Sequence, residues 1–234
     1  MRYLHPVQGH EEFVASGVYR FSKDETPLDK TEAWTIHRHA DGERFIRIDM
    51  DARREEGRSI LAEALLDRSG HLARFDIRYE NESFDGGIRH LRASYQVADE
   101  RLQVGFNFNG AERQYSEVDL PADALIDIPL LIFRGETIRA LASDAAKAQS
   151  IFVPMFEHAQ LFPGRLQRTS ESVAEDGDEV LRLGGRAVSA TRFRYRDRAA
   201  LYWIDEHGVI IKRVNAFRQQ EFAVQISSYV PPEN

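Results

Sequence analysis

The chain has 234 residues, of which 42% are hydrophobic, 29% charged and 10% aromatic, enough apolar character to fill a core and too much for a disordered chain. The absence of cysteine excludes disulfides, thiolate zinc sites, iron–sulfur ligation and a cysteine nucleophile. With 31 Lys and Arg against 38 Asp and Glu, a net charge of −7 argues against general attraction to nucleic acid or to an anionic membrane.

The opening Met1-Arg2-Tyr3-Leu4-His5-Pro6 turns polar by Gln8 and lacks the apolar stretch of ~7 to 15 residues that an export signal needs. The longest apolar run, from Ile128 to Phe133, falls far short of the ~18 residues of a membrane span. A soluble, cytoplasmic protein with no transmembrane segment is the expectation.

Period-two alternation then dominates, punctuated by turn dipeptides. Trp34 and Ile36 alternate with Thr35, His37 and His39, and Asp41-Gly42, suited to the positive φ of a tight hairpin, leads into Ile46, Ile48 and Met50 on one face. Ile60 to Leu66 runs through Asp67-Arg68-Ser69-Gly70 into Phe75, Ile77 and Tyr79. Asp85-Gly86-Gly87 opens a strand carrying Leu91, Ala93, Tyr95 and Val97, followed by Leu102, Val104, Phe106 and Phe108, Asn109-Gly110, and Tyr115 to Leu120. About seven strands are thus expected before residue 121.

From Pro121 to Gln149 the spacing of Leu130, Phe133, Ile138 and Leu141 fits a helix, with Pro129 in its first turn and Ser143-Asp144 ending it or capping a short second one. After Ile151 to Phe156 and the breaker Phe162-Pro163-Gly164, strand patterns resume at 165–173, 180–183, 186–196, 200–205, 209–214 and 222–230. Turns are predicted at Asp176-Gly177, Gly184-Gly185, Asp197-Arg198 and His207-Gly208.

The fold class predicted is mainly β. A large curved antiparallel meander (half-barrel, β-roll or barrel) carries a helical insertion at about 123–149 that packs on its concave face. No Pro/Gly/Ser-rich linker divides the chain, so residues 1–234 are read as a single domain, strand-rich over 10–120, helical over 123–149 and strand-rich over 151–230.

His37-Arg38-His39 places two imidazoles on one strand face, where they could share a metal if His90, Asp49 or Asp51 supplied a third ligand. The commoner meaning of such a pair is a solvated hairpin face, so no metal or other cofactor is predicted. Arg192, Arg194, Arg196 and Arg198 form a ladder that would hold an anionic head group, or would pair across strands with carboxylates such as Glu179 and Asp205. The positions Trp34, Ile46, Ile48, Tyr95, Phe106, Phe108, Tyr195, Tyr202 and Trp203 are read as facing one way, as core or as the wall of a ligand cavity. No Gly-x-Ser-x-Gly, phosphate loop or His-Glu-x-x-His occurs, and no catalytic residue is named.

The segment from Glu179 to Tyr195, with Gly185, Val188 and Ala190, followed by Trp203-Ile204-Asp205-Glu206-His207-Gly208 and the strand to Val214, resembles a bacterial family of uncharacterised proteins. These are similar to the lipoprotein-carrier and VioE-like half-barrel group, and the closing hairpin also resembles that of a glycolipid-binding β-roll family. The resemblance implies a curved sheet that shelters a lipid or another hydrophobic or amphiphilic small molecule. The expected ligand-binding residues are Trp34, Ile46, Ile48, Tyr95, Phe106, Phe108, Arg192, Arg194, Tyr195 and Trp203, around an apolar cavity of roughly 300 Å³ or more beneath 129–149. Two other readings stand beside it: an enzyme using the same cavity, by shape or through a His37/His39 metal, and a protein-interaction module, including a homodimer paired at strand edges.

Overall fold

A computed structural model describes residues 1–81, 90–120, 124–128, 130–143, 151–154, 166–169, 173–195, 200–217 and 220–232. The strands are β1 (Glu12–Lys23), β2 (Thr26–Arg38), β3 (Arg44–Ala52), β4 (Arg58–Leu66), β5 (Leu72–Asn81), β6 (His90–Ala98), β7 (Arg101–Phe108), β8 (Gln114–Asp119), β9 (Leu125–Ile126), β10 (Ile151–Pro154), β11 (Leu166–Thr169), β12 (Val173–Leu183), β13 (Arg186–Tyr195), β14 (Ala200–Ile204), β15 (Ile210–Phe217) and β16 (Gln220–Val230). Among the described residues two helices interrupt them, the single turn α1 (Arg53–Glu56) and α2 (Leu131–Ser143). No helix among the described residues is long and apolar enough to cross a membrane.

Thirteen strands form one antiparallel sheet in the order β12-β13-β14-β15-β16-β1-β2-β3-β4-β5-β6-β7-β8, and β11-β10-β9 form a small second sheet. The long sheet is a meander joined to itself by the pairing of β16 with β1, so strands from opposite ends of the sequence lie side by side in its middle. Register shifts at Val18/Tyr19, Phe13/Ala15 and Arg20/Ser22 locally raise the twist there, which helps to curl the sheet instead of leaving it flat.

The concave face is written in cross-strand rows. One row runs Gly17, Trp34, Ile48, Ala62, Ile77, Ala93, Phe106, each Cα opposite the next. Small residues at Gly17, Ala62 and Ala93 leave hollows between the large ones, so side chains from the other side can interdigitate. At Gly17 the need is absolute, because a Cβ would lie 2.5 Å from Trp34 Cζ2 and 2.9 Å from Ile226 Cδ1.

Helix α2 fills part of the concavity. Leu131, Ile132, Phe133, Ile138 and Leu141 are all buried, and the Phe133 ring meets Phe75 edge-on at 6.1 Å. Three consecutive buried residues at its start cover more than one helical face, so this end is enclosed rather than laid on a surface. The carboxylate of Glu32, on the concave side of β2, accepts from the Leu131 N–H at 2.9 Å and serves a free donor of the first turn. Burial raises the Glu32 pKa to about 7, against the opposing pull of the Leu131 and Ile132 N–H groups.

Mainly β architecture, antiparallel order and a helix on the concave face all agree with the sequence reading, and several details do not. Among the described residues eight strands precede residue 121, because β1 turns into β2 through Asp24 and Glu25 with φ of 47° and 63° and no glycine. Asp176-Gly177 makes no turn: Gly177, at φ 100°, forms a bulge within the continuous strand β12. The helix is described over Leu131–Ser143, strand β9 occupies Leu125–Ile126 where the helix was expected to begin, and the helical turn Arg53–Glu56 had no sequence signal. Residues 121–123, Pro129, 144–150 and the predicted turns at Asp85-Gly86-Gly87, Phe162-Pro163-Gly164 and Asp197-Arg198 lie outside the described residues.

Candidate ligand-binding site

The β14–β15 turn is the natural starting point, since its residues lie between the helix and the strands that continue beyond it. Asp205 Oδ1 accepts from the N–H groups of His207 and Val209 at 3.0 and 2.8 Å, which rigidifies the turn, while its Oδ2 accepts from the Tyr229 hydroxyl at 2.7 Å. Burial and this acceptor both push the Tyr229 phenol above its ordinary range. Helix α2 rests directly on the turn: a Cβ at Gly135 would lie 2.0 Å from the Gly208 carbonyl oxygen, and Arg139 Nη1 donates to the Glu206 carbonyl at 2.7 Å.

Strands β12 and β13 continue past this support, and a groove of about 900 Å³ opens between their hairpin, the β14–β15 turn and the end of β16. Leu183, Ala187, Phe193, Ile204 and Val230 give it an apolar strip, with Arg139, Asp178 and Tyr229 among its polar groups. Those polar groups have internal partners: Asp178 accepts from the Thr191 hydroxyl at 2.7 Å, Tyr229 donates to Asp205, and Arg139 donates to the turn. The lining is mixed, with somewhat more polar than apolar surface, so the apolar strip runs between hydrogen-bonding groups.

The helix is held over the same end of the sheet by a buried ion pair. Arg134 Nε lies 2.7 Å from Asp127 Oδ1, Tyr195 donates to Asp127 Oδ2 at 3.2 Å, and the Arg134 guanidinium sits 5.6 Å above the Tyr195 ring. Neither Asp127 nor Arg134 is signalled by any local sequence pattern.

The expected site residues divide into three groups. Trp34, Ile46, Ile48, Tyr95 and Phe106 are buried in the core around α2, and Phe108 is packed against its edge. Tyr195 joins the same concave face beside Tyr202, ring centroids 6.0 Å apart. Trp203 does not: it is the cross-strand partner of Arg192, on the opposite face from Phe193 and Tyr202, because neighbours in a strand alternate. Arg192 pairs with Glu179, Arg194 Nε lies 2.5 Å from Asp176 Oδ2, and the Trp203 indole N–H donates to Glu179 at 2.8 Å. The arginine ladder is therefore the outer, carboxylate-paired face, although Asp205 takes no part in it, and Arg196 and Arg198 lie outside the described residues.

The histidine pair also needs correction. His37 is buried beside Arg47, whose guanidinium is clamped by Glu11 at 2.6 and 2.8 Å and by Glu63 at 2.8 Å. All three charged side chains are only 2 to 3% exposed, because residues 1–11 cross the outer face of β3 and β4. Burial and the neighbouring Arg47 charge hold the His37 pKa below its ordinary value. His39 stacks edge-on with His10 at 4.8 Å, Asp49 is paired with Arg2, and Asp51 is paired with Arg53. The described residues bring potential metal ligands together at His5, Glu63 and Asp76, within 4.8 Å of one another, and there Arg47 and Arg74 already compensate both carboxylates.

No protein family and no curated protein matches the sequence. The fold does have a counterpart. A crystal structure of a β-barrel-like protein of domain of unknown function DUF1849 from Brucella abortus superimposes with a TM-score of 0.55 at 9% identity, over 96% of this chain and 100% of that one. The likeness is one of fold, to an uncharacterised β-barrel-like protein.

Proposed function

We propose that this chain is a non-catalytic binding protein that shelters a lipid or other amphiphilic small molecule in the groove between the β12–β13 hairpin, the β14–β15 turn and the end of β16. The carrying observation is the groove itself: about 900 Å³, with an apolar strip from Leu183 and Ala187 to Phe193 and Ile204. Its capacity lies within the range of small-molecule sites. An acyl chain would lie along the strip, and its head group would meet Arg139 and the Ser189 and Thr191 hydroxyls. Trp34, Ile46, Ile48, Tyr95 and Phe106, expected around a cavity beneath 129–149, are packed in the core and do not line this groove.

Native mass spectrometry with dodecanoate as probe tests it. A one-to-one adduct on the unmodified chain that disappears in Ala187→Trp, with the fold intact by circular dichroism, is the expected result. Absence of an adduct, or an adduct that persists with the groove filled, overturns it.

A further inference from the structure

The outer face of β5, β6 and β7 carries an arrangement that packing alone does not explain. Arg78 and Arg92 are direct cross-strand partners, and Asn107 is the next partner in the same row. Like charges placed directly opposite destabilise a sheet. Outward-facing arginines of a sheet are ordinarily met by carboxylates, as Arg192 and Arg194 of β13 are. Here, among the described residues, relief is slight: Arg78 reaches only Glu80, at 3.8 Å, and Arg92 has no ion pair.

A third cation completes the set. In the next row Asp76, Ser94 and Gly105 are cross-strand partners, and Gly105 has no side chain to fill its outer position. Arg113 lies across that space, its Nε 2.7 Å from where a Cβ would stand, with its guanidinium 5.5 Å from the Tyr115 ring centroid. Arg78, Arg92 and Arg113 line one concavity of about 400 Å³, with Ser94 and Asn107 as neutral hydrogen-bonding groups and His5 at its edge. Asp76 is the acidic residue of that lining, and Arg74 already engages it at 2.8 Å. In a chain of net charge −7 this is a local excess of positive charge around a hollow.

We infer that this hollow is a binding site for a phosphoryl group, free or carried by a small molecule. Guanidinium forks give bidentate contacts to phosphate oxygens, and three of them match a phosphate better than the two oxygens of a carboxylate. The site lies on the convex face and is independent of the amphiphile groove.

Isothermal titration calorimetry with inorganic phosphate, pyrophosphate and succinate at low ionic strength tests this. Expected are saturable binding of phosphate and pyrophosphate, weaker binding of succinate, and at least a tenfold loss of phosphate affinity in Arg92→Ala, with Arg194→Ala unchanged. A phosphate response without a pyrophosphate response marks a free-ion site, and tighter pyrophosphate marks a site for phosphate carried on a larger molecule; either supports the inference. No saturable binding, succinate binding as tightly as phosphate, or equal losses in Arg92→Ala and Arg194→Ala overturns it. Thermal melting supplies a second readout. Removing one of two opposed charges in Arg92→Ala should leave Tm unchanged or raise it in phosphate-free buffer, and a clear fall would show Arg92 to be structural.

Discussion

The two arms of the long sheet obey the same alternation and end up differently. In β1 to β5 the central strands are covered twice, by α2 on the concave side and by residues 1–11 on the convex side, so that even Arg47, Glu11 and Glu63 are buried. In β12 to β14 the convex side carries Arg192 and Arg194 on their carboxylates beside a buried Trp203, and on the other side the hairpin runs past the helix, leaving Val180 70% exposed. The cause is dimensional. A helix of 13 residues is roughly 20 Å long, whereas 13 strands at their normal spacing span roughly 60 Å around the curve. One helix can fill only part of the concavity, and the part it leaves is the groove.

That difference should appear first in core truncations. Trp34→Ala should cost about 3 to 5 kcal/mol in urea denaturation, because the indole is wholly enclosed between Gly17, Tyr19 and Tyr229. Val180→Ala, 70% exposed on the hairpin that runs past the helix, should cost less than half as much, and equal costs would end the distinction between the arms. Arg47→Ala comes next at about 3 kcal/mol or more, since it strands two buried carboxylates. A loss below 1 kcal/mol would mean that residues 1–11 leave the sheet readily.

Glu32 sharpens the comparison through pH. Its pKa is raised from 4.5 to about 7, so the folded chain holds this proton more tightly than the unfolded chain does. Its contribution is therefore fully present below pH 4.5 and falls by about 3 kcal/mol as pH rises toward 7, then levels. Glu32→Gln keeps an acceptor for the Leu131 N–H without the charge, and should remove that decline from the pH profile of stability; an unchanged profile would refute the role assigned to burial. The smallest effect is expected on the other arm. Arg192→Ala should change stability by no more than about 1 kcal/mol, with the difference shrinking in high salt, as befits a pair in contact with water.

Much of this molecule was legible locally. The alternation of Trp34 with Ile36, of Ile46 with Ile48 and of Phe75 with Ile77 and Tyr79 required strands with one apolar face, and Asp41-Gly42 and Gly184-Gly185 required turns. The spacing of Phe133, Ile138 and Leu141 required a helix. The same local signals also misled, because Asp-Gly supplies positive φ equally well to a hairpin at Gly42 and to a bulge at Gly177, and only the continuous partner strand β13 distinguishes them.

Strand parity alone was enough to separate Trp203 from Tyr202, whereas the fate of His37 was not open to such reasoning. It became buried because Glu11, 36 positions away from Arg47, folds back across the sheet. The sequence by itself determined which residues turn inward, since side-chain alternation is a property of the backbone. Which inward face became core and which became groove, and which outward charges were paired, buried or left opposed at Arg78 and Arg92, was decided by the tertiary structure, because each depends on which distant segment lies over that face.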